Sequence, residues 1–364
     1  MKRSEFLRGA AALTGIALAG GLRPALAAAP KKKIVLLING TQGDKSFFDS
    51  AAHGMELIAQ KFGDAVTTKT IEMTYDESKW RPILEDVAGQ DWDVIVTGTY
   101  QMTDYVAAVA PDYPDKAFVI YDAEVEYKGG AFKNVYSITY KQNEASYLAG
   151  MVAEGLVAAG IAKGSSIGFL GGLDIPVIND FLTGYIAGGQ AINPKTRVAI
   201  SYIGSFSDAA KGKELALAQY RTGTGIGFNV AGQAGLGQLA AAKEMDKYAI
   251  GVDSDQSAIF RQSDPATADR VVTSVLKRVD NSLLRAAELL MQGKLPLGRA
   301  EALGFAEGAV GIVDNDVYQK LVPAELRQKV AAAQADIAAG KISVPSAFGL
   351  STEALGALRD QVRP

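Results

Sequence analysis

The sequence predicts an α/β fold made of two Rossmann-like lobes, each a parallel β-sheet covered by helices. Apolar runs of strand length alternate along the chain with Ala-rich amphipathic segments, which is the pattern of parallel sheets with covering helices. The 364 residues exceed what one hydrophobic core usually supports. Because the strand pattern restarts near residues 163–172 after a long helical stretch, we expect two half-size lobes.

The first predicted strand covers residues 34–38, a continuous apolar run as expected of a parallel strand buried on both faces. Further strands are predicted at residues 94–97, 117–121, 166–169, 198–202, 226–230 and 248–252. Helices are predicted at residues 47–60, 145–157, 211–220 and 324–339. Since no low-complexity linker separates the two halves, we expect the chain to cross between lobes on ordered hinge strands.

Residues 1–29 have the three parts of an export signal. Lys2, Arg3 and Arg8 form a basic start, and residues 9–20 form an apolar stretch too short to span a bilayer. Ala-Leu-Ala at 25–27 then supplies the small residues that a signal peptidase requires. A twin-arginine signal would have a second arginine where the sequence has serine, so the Sec and Tat routes both stay open.

The amino-acid composition limits the cellular locations and the binding partners that are expected for the protein. The chain has no cysteine, which excludes disulfides, thiolate metal sites and a lipid-accepting cysteine. No later apolar run reaches the ~20 residues of a membrane-spanning helix, so we expect a periplasmic protein that is neither inserted in the membrane nor lipid-anchored. Removing residues 1–27 takes away four basic residues and one acidic residue, and the formal net charge of −3 becomes −6. This charge argues against nucleic acid or an anionic membrane as a partner.

The first strand is followed by a polar turn and by two adjacent aromatic residues, Phe47 and Phe48. Asp44 or Ser46 is predicted to cap the helix that begins there. In an open α/β sheet, ligands bind beyond the carboxyl ends of the strands, so the two rings are placed to face a flat ligand. A hydrophobic staple against the neighbouring helix explains them equally well, and the segment alone leaves both interpretations open.

Groups suited to catalysis are scarce. His53 is the only histidine and lies in the middle of a predicted helix, where a structural or solvent-facing role is more common. Without cysteine or a second histidine, thiol–imidazole nucleophiles and histidine metal sites are excluded. The glycine-rich segments 223–227 and 232–237 do not end in Gly-Lys-Ser/Thr, and the first precedes a strand instead of following one. We therefore predict no catalytic residue, no metal and no cofactor.

Polar and aromatic residues instead follow four of the predicted strands, at residues 98–100, 121–123, 228–232 and 250–256. Each acidic residue taken singly is better explained as a helix N-cap. Because the carboxyl ends of parallel strands meet at one edge of each sheet, four such ends together predict a ligand cleft between the lobes.

Six segments in order carry a family resemblance: residues 43–47, 134–150, 167–172, 228–232, 251–256 and 273–278. Over residues 33–347 the chain resembles the basic membrane protein family of type I solute-binding proteins, whose studied members include purine nucleoside receptors of ABC importers. The resemblance implies the type I periplasmic binding protein fold. Residues 30–141 plus about 278–320 would form lobe 1, and residues 142–277 plus about 321–350 would form lobe 2.

The resemblance also implies roles for individual residues. A purine base would lie between Phe47 and Phe228, with Asp122 accepting hydrogen bonds from its edge. Asp253 and Lys277 would hold the ribose hydroxyls, and Lys277 would partly neutralise Asp253 in the closed cleft.

The sequence departs from the family pattern near the first strand. Phe48 stands where relatives usually have asparagine, and residues 38–43 replace a turn that is acidic in relatives. One polar contact is thus exchanged for apolar surface, so a modified purine, a free base or a flavin stays open beside a purine nucleoside. Gly232, within the retained segment 228–232, is expected at the ligand.

We therefore predict a monomeric solute-binding protein of an ABC importer, with a small molecule and a transporter permease as its partners and no enzymatic activity. One rival is an extracytoplasmic nucleoside-acting enzyme that would use Asp253 and Asp255 as paired acids. Another is a sensor that presents a bound ligand to a membrane receptor.

Overall fold

The computed structural model describes residues 31–364, so the predicted export signal lies outside the described residues. The strands are β1 (Lys32–Ile38), β2 (Val66–Glu72), β3 (Val94–Gly98), β4 (Ala117–Tyr121), β5 (Val135–Tyr140), β6 (Ser166–Gly171), β7 (Val198–Tyr202), β8 (Thr224–Val230), β9 (Tyr248–Asp253), β10 (Val271–Lys277), β11 (Arg299–Leu303) and β12 (Val310–Ile312). The helices are α1 (Phe47–Phe62), α2 (Trp80–Ala88), α3 (Thr103–Val109), α4 (Gln142–Ala158), α5 (Pro176–Ile192), α6 (Ala209–Arg221), α7 (Gly232–Glu244), α8 (Gln256–Phe260), α9 (Pro265–Ala268), α10 (Val279–Met291), α11 (Asp316–Leu321), α12 (Ala324–Ala338) and α13 (Thr352–Gln361).

The strands form two sheets of six, as the predicted two-lobe α/β fold requires. The first sheet has the order β11-β5-β4-β3-β1-β2 and is parallel throughout. The second has the order β12-β10-β9-β8-β6-β7, in which only β12 is antiparallel to its neighbour. In each sheet the order reverses at the first strand, β1 or β6, and such a reversal opens a crevice beyond the carboxyl ends of the strands.

The chain passes between the two sheets three times: after β5, after β10 and between β11 and β12. The last crossing corrects the expected lobe boundary. Residues 310–312 pair antiparallel with residues 275–277, so the chain re-enters the second sheet before residue 310 and not near residue 321. A tight turn makes this early return possible, since the amide of Ala309 donates to the carbonyl of Gly304 and Gly308 has a positive φ of 66°.

Helices α4 and α5 pack unusually closely in the second lobe. A Cβ atom at Gly188 would lie 1.8 Å from the backbone oxygen of Tyr147, and one at Gly150 would lie 2.1 Å from that of Tyr185. The contact therefore requires glycine at both positions. This pair of helices covers the sheet face where Phe169 and Phe228 are buried.

All seven predicted strands and four predicted helices are confirmed in place, with bounds that shift by a few residues. Strands β2, β5, β10, β11 and β12 and several helices, among them α5, α7 and the C-terminal α13, were not predicted as such. No helix among residues 31–364 combines the length and the apolar character needed to cross a membrane.

Candidate ligand-binding cleft

A cavity of about 240 Å³ lies where the carboxyl ends of the strands of both sheets face each other. This volume is just below the ~300–1,000 Å³ typical of small-molecule pockets, so it suits a compact ligand. Seven aromatic side chains line it: Phe47, Phe48, Tyr75, Trp80 and Tyr100 from the first lobe, and Phe181 and Phe206 from the second. Among the charged lining residues, Asp122, Asp253 and Lys277 lie at strand ends.

Asp44 organises the turn between β1 and α1. Its carboxylate accepts the backbone N–H groups of Ser46, Phe48 and Asp49 at 3.0, 2.8 and 3.1 Å. These bonds satisfy the free amides of the first helical turn, so Asp44, and not Ser46, caps α1. Burial raises the pKa of Asp44, although the three amides oppose the shift. The hydroxyl of Ser46 is not used in capping and instead donates a hydrogen bond to Asp253.

Lys277 is the buried cation of the cavity and pairs with Asp122. Its Nζ lies 2.7 Å from Oδ1 of Asp122, and the lysine side chain is 4% exposed. Three aromatic rings surround the ammonium group, with centroids at 4.9 Å (Phe181), 5.6 Å (Phe47) and 5.6 Å (Tyr140). Lys277 is thus paired with Asp122, and its charge also acts to lower the pKa of Asp253, the carboxyl group that it is expected to neutralise in part.

Asp253 ends β9 and faces the same cavity. Its Oδ2 accepts a hydrogen bond from the hydroxyl of Ser46, which joins the second lobe to the first. Burial raises the pKa of Asp253 to about 7, while the charge of Lys277 and the bond from Ser46 act in the opposite direction. The Asp253 carboxyl group therefore titrates near neutral pH.

Three of the strand-end residues have a strained backbone. Thr99, Asp122 and Asp253 have φ values of 72°, 60° and 64°, a region that non-glycine residues seldom adopt. Each follows or ends a strand whose carboxyl end points at the cavity. Strained backbone conformations of this kind are frequent at ligand-binding sites, where contacts with the surrounding structure stabilise them.

Phe228 does not reach the cavity, which corrects its predicted role as a stacking face. The side chain is fully buried, with ring centroids 5.2 Å from Tyr185, 5.8 Å from Phe169 and 6.2 Å from Phe181. The reason is its position in β8, since it lies two residues before the end of the strand. The alternation of strand side chains puts Val230, at the end, on the same face and against the cavity.

The other predicted residues are brought together. Phe47, Phe48, Asp122, Gly232, Asp253 and Lys277 all line the cavity. Phe48 also packs on Gly40 and lies 6.4 Å from the ring of Tyr75, so it is 8% exposed and belongs to the first lobe's core as well. Gly232 begins α7 with φ of 53° and lies beside Phe206.

Sequence reasoning missed Asn39, Phe181 and Phe206. Asn39 follows β1 and donates from Nδ2 to Oγ1 of Thr99 at 2.8 Å, while its Oδ1 has no protein partner among residues 31–364. Its place after the first strand was a usable signal. Phe181 lies inside a helix and Phe206 in a loop, so neither could be placed before the sheets were assembled.

Residues considered for catalysis lie apart from one another. Asp255 caps α8 by accepting the amide of Ala258 at 3.1 Å, so it does not form an acid pair with Asp253. His53 is half exposed, with Nδ1 3.3 Å from Asp280 on the surface. Within the described part of the chain, no three His, Cys, Asp or Glu residues are grouped so as to hold a metal ion.

Comparisons with known proteins agree with the predicted resemblance. A family model described as "ABC transporter substrate-binding protein PnrA-like" matches residues 31–347. The chain is 32% identical to an ABC transporter nucleoside-binding protein of Lactococcus lactis, over 95% of this chain and all of that protein. It is 30% identical to basic membrane protein A of Borreliella burgdorferi, over 86% of this chain and 88% of that one. A solute-binding protein of Aeropyrum pernix has a similar fold, with a TM-score of 0.76 at 23% identity and coverage of 91% and 99%.

Proposed function

The chain belongs to the Bmp family of PnrA-like ABC transporter substrate-binding proteins, and from this premise we propose that it captures a purine nucleoside, or a related flat heterocycle, for an ABC importer. The observation that carries the proposal is the composition of the cleft. The carboxyl groups of Asp44, Asp122 and Asp253 lie with the buried ammonium group of Lys277 in a cavity whose other lining side chains are largely aromatic and aliphatic. A nucleoside offers the matching surfaces, namely a flat base and a diol.

The base stacks against aromatic side chains. Phe47 reaches the cavity from the first lobe and Phe206 from the second, so Phe206 replaces Phe228 as the opposing face. Stacking of a base on an aromatic ring contributes ~1–3 kcal/mol. Asp122, fixed by its ion pair, accepts hydrogen bonds from the base edge.

The sugar is held by the strand ends of the second lobe. Asp253 accepts hydrogen bonds from vicinal hydroxyls, and Lys277 donates to them. Charge-assisted bonds of this kind are worth ~1.5–3 kcal/mol each. With Asp44, Asp122 and Asp253 set against one lysine, the cavity disfavours a phosphate group, so nucleosides bind in preference to nucleotides.

The cellular setting follows from the same role. The protein works as a monomer in the periplasm after export by its signal peptide. Ligand binding stabilises the form in which the lobes are closed, and that form docks on the transporter permease.

Calorimetry tests the proposal. Purified protein is unfolded and refolded to remove carried ligand, and is then titrated with purine and pyrimidine nucleosides, free bases, riboflavin and nucleoside 5′-monophosphates. We expect heat with a purine nucleoside and little or none with its 5′-monophosphate. Absence of heat with every nucleoside, or turnover of one of them, contradicts the proposal. Heat with riboflavin alone would show that the protein binds flavins instead of nucleosides.

A further inference from the structure

The C-terminal helix α13 lies beyond residues 31–347, which match the family model, yet it is attached to the second lobe. The chain after α13 extends the edge of β7, since the amide of Val198 donates to the carbonyl of Val362 at 2.8 Å. Nη1 of Arg197 donates to the carbonyls of Gln361 and Arg363 at 3.2 and 3.1 Å. These contacts hold the end of the helix in one place on the sheet.

Arg359 is the residue of α13 that reaches inward. Its guanidinium group donates to both carboxylate oxygens of Asp174, at 3.0 and 2.6 Å. Nη2 also lies 2.8 Å from Oδ1 of Asn179 and 2.7 Å from the hydroxyl of Tyr202, and the group stacks 4.9 Å from the Tyr202 ring centroid. One side chain therefore joins the loop after β6, the start of α5 and the end of β7.

Each partner of Arg359 is next to the ligand cavity. Asp174 stands between Leu173 and Ile175, both of which line it. Asn179 follows the lining residue Ile178. Tyr202 ends the strand that leads into the lining loop 204–207.

We infer that Arg359 is a positioning residue for ligand binding, which fixes from outside the two loops that form one wall of the cavity. The inference rests on the proposed function for the identity of the ligand. Whether Arg359 fixes the two loops can be measured without any ligand. A loop held in its binding geometry before the ligand arrives lowers the ordering cost of binding.

The chemistry of arginine suits this role better than that of lysine. A partly exposed ion pair alone contributes little, but a planar fork bonded to both oxygens of one carboxylate defines an orientation. The bonds from Arg359 lower the pKa of Asp174, so the pair persists across the neutral range. Lysine would keep one bond to Asp174 and lose the fork, the bond to Asn179 and the stacking on Tyr202.

The test compares Arg359→Ala and Arg359→Lys with Arg363→Ala in the complete protein. Arg363 is a matched control because it lies on the same terminus and carries the same charge. Its side chain is 75% exposed and, within residues 31–364, pairs only with Asp360. Amide hydrogen exchange is measured by mass spectrometry without ligand. We expect residues 172–179 and 203–207 to exchange about tenfold faster in Arg359→Ala, less so in Arg359→Lys and unchanged in Arg363→Ala.

Ligand affinity is then measured for the nucleoside that the wild type binds best. We expect Kd to rise about tenfold for Arg359→Ala and by less for Arg359→Lys, with no change for Arg363→Ala. Unchanged exchange in both Arg359 variants, or faster exchange with unchanged Kd, overturns the inference. If the wild type binds no nucleoside, the proposed function fails on its own, and hydrogen exchange still decides whether Arg359 fixes the wall.

Discussion

At the scale of single residues, the buried charges of the cleft govern its response to pH. Asp253 has a pKa of about 7 in the folded protein, against 3.8 for the unperturbed group, because burial disfavours its charged form. Between these values the folded state binds more protons than the unfolded state. The free energy of unfolding must therefore fall as the pH rises through this window.

The substitution Asp253→Asn removes this dependence, because an amide does not titrate. Urea unfolding of both proteins from about pH 5 to about pH 7.5 should show the wild type losing stability relative to the variant as the pH rises. Asp264→Asn serves as a control: bonds from Lys243 and Thr267 lower the pKa of Asp264 to about 2, so its effect should be constant over the same range. A constant difference between wild type and Asp253→Asn would mean that Asp253 titrates normally.

Two phenylalanines of the second lobe, Phe206 and Phe228, separate the effects of substitution on binding and on stability. Phe206→Ala should weaken nucleoside binding by ~1–3 kcal/mol and leave the free energy of unfolding nearly unchanged, since the ring is half exposed at the cavity. Phe228→Ala should lower the free energy of unfolding by ~3–5 kcal/mol, because it empties a fully buried site. Calorimetric titration and urea unfolding of both variants make the comparison. If Phe228→Ala weakens binding and Phe206→Ala does not, Phe228 and not Phe206 contacts the ligand.

At the scale of elements, the sequence predicted those parts whose pattern is local. Strands such as Ala117–Tyr121 read as apolar runs because both of their faces are covered. Strand β2 could not be read this way, since Thr67, Thr68 and Lys69 give it the composition of a solvated edge. Strand β12, three residues long, exists only because it pairs with β10.

The close packing of α4 on α5 makes a further prediction at this scale. Gly188→Ala would place a methyl group against the backbone oxygen of Tyr147, so the helices must separate, at a cost of ~1–3 kcal/mol or more in the free energy of unfolding. Gly356→Ala in α13 is the matched control, because nothing lies within 4 Å of the added atom. It should stabilise the protein by ~0.5–1 kcal/mol through helix propensity. Thermal or urea unfolding measures both, and equal effects at the two positions would show that α4 and α5 are not in tight contact.

At the scale of the whole molecule, the cleft is made by bringing strand ends from distant parts of the chain together. The sequence located these ends because acidic residues such as Asp122 and Asp253 follow apolar strands. It could not tell which carboxylate Lys277 would meet, since that depends on how the two lobes are placed where the chain leaves β10 and crosses between the sheets for the second time. Arg359, which acts from the far end of the chain, has no local signal at all.

The two lobes also make contact outside the cavity, just before the start of α1. The ammonium group of Lys45 lies 5.4 Å from the ring centroid of Phe260 in the second lobe, and the carbonyl of Lys45 accepts a hydrogen bond from Gln256 at 3.2 Å. Lys45→Ala keeps the backbone bond and removes only the cation–π contact. Because such a contact contributes ~0.5–1 kcal/mol and forms only when the lobes are together, ligand release should become about two- to fivefold faster. Association, which starts from the open form, should change little.

Stopped-flow measurement of ligand association and release tests this expectation. Lys213→Ala is the control, since Lys213 pairs with Glu244 at 2.7 Å on the surface of the second lobe alone and its loss should change neither rate. If Lys45→Ala slows association and leaves release unchanged, Lys45 acts by attracting the ligand. If it alters neither rate, the contact with Phe260 makes no contribution to closure, and the lobes are held together by the cavity residues and their ligand.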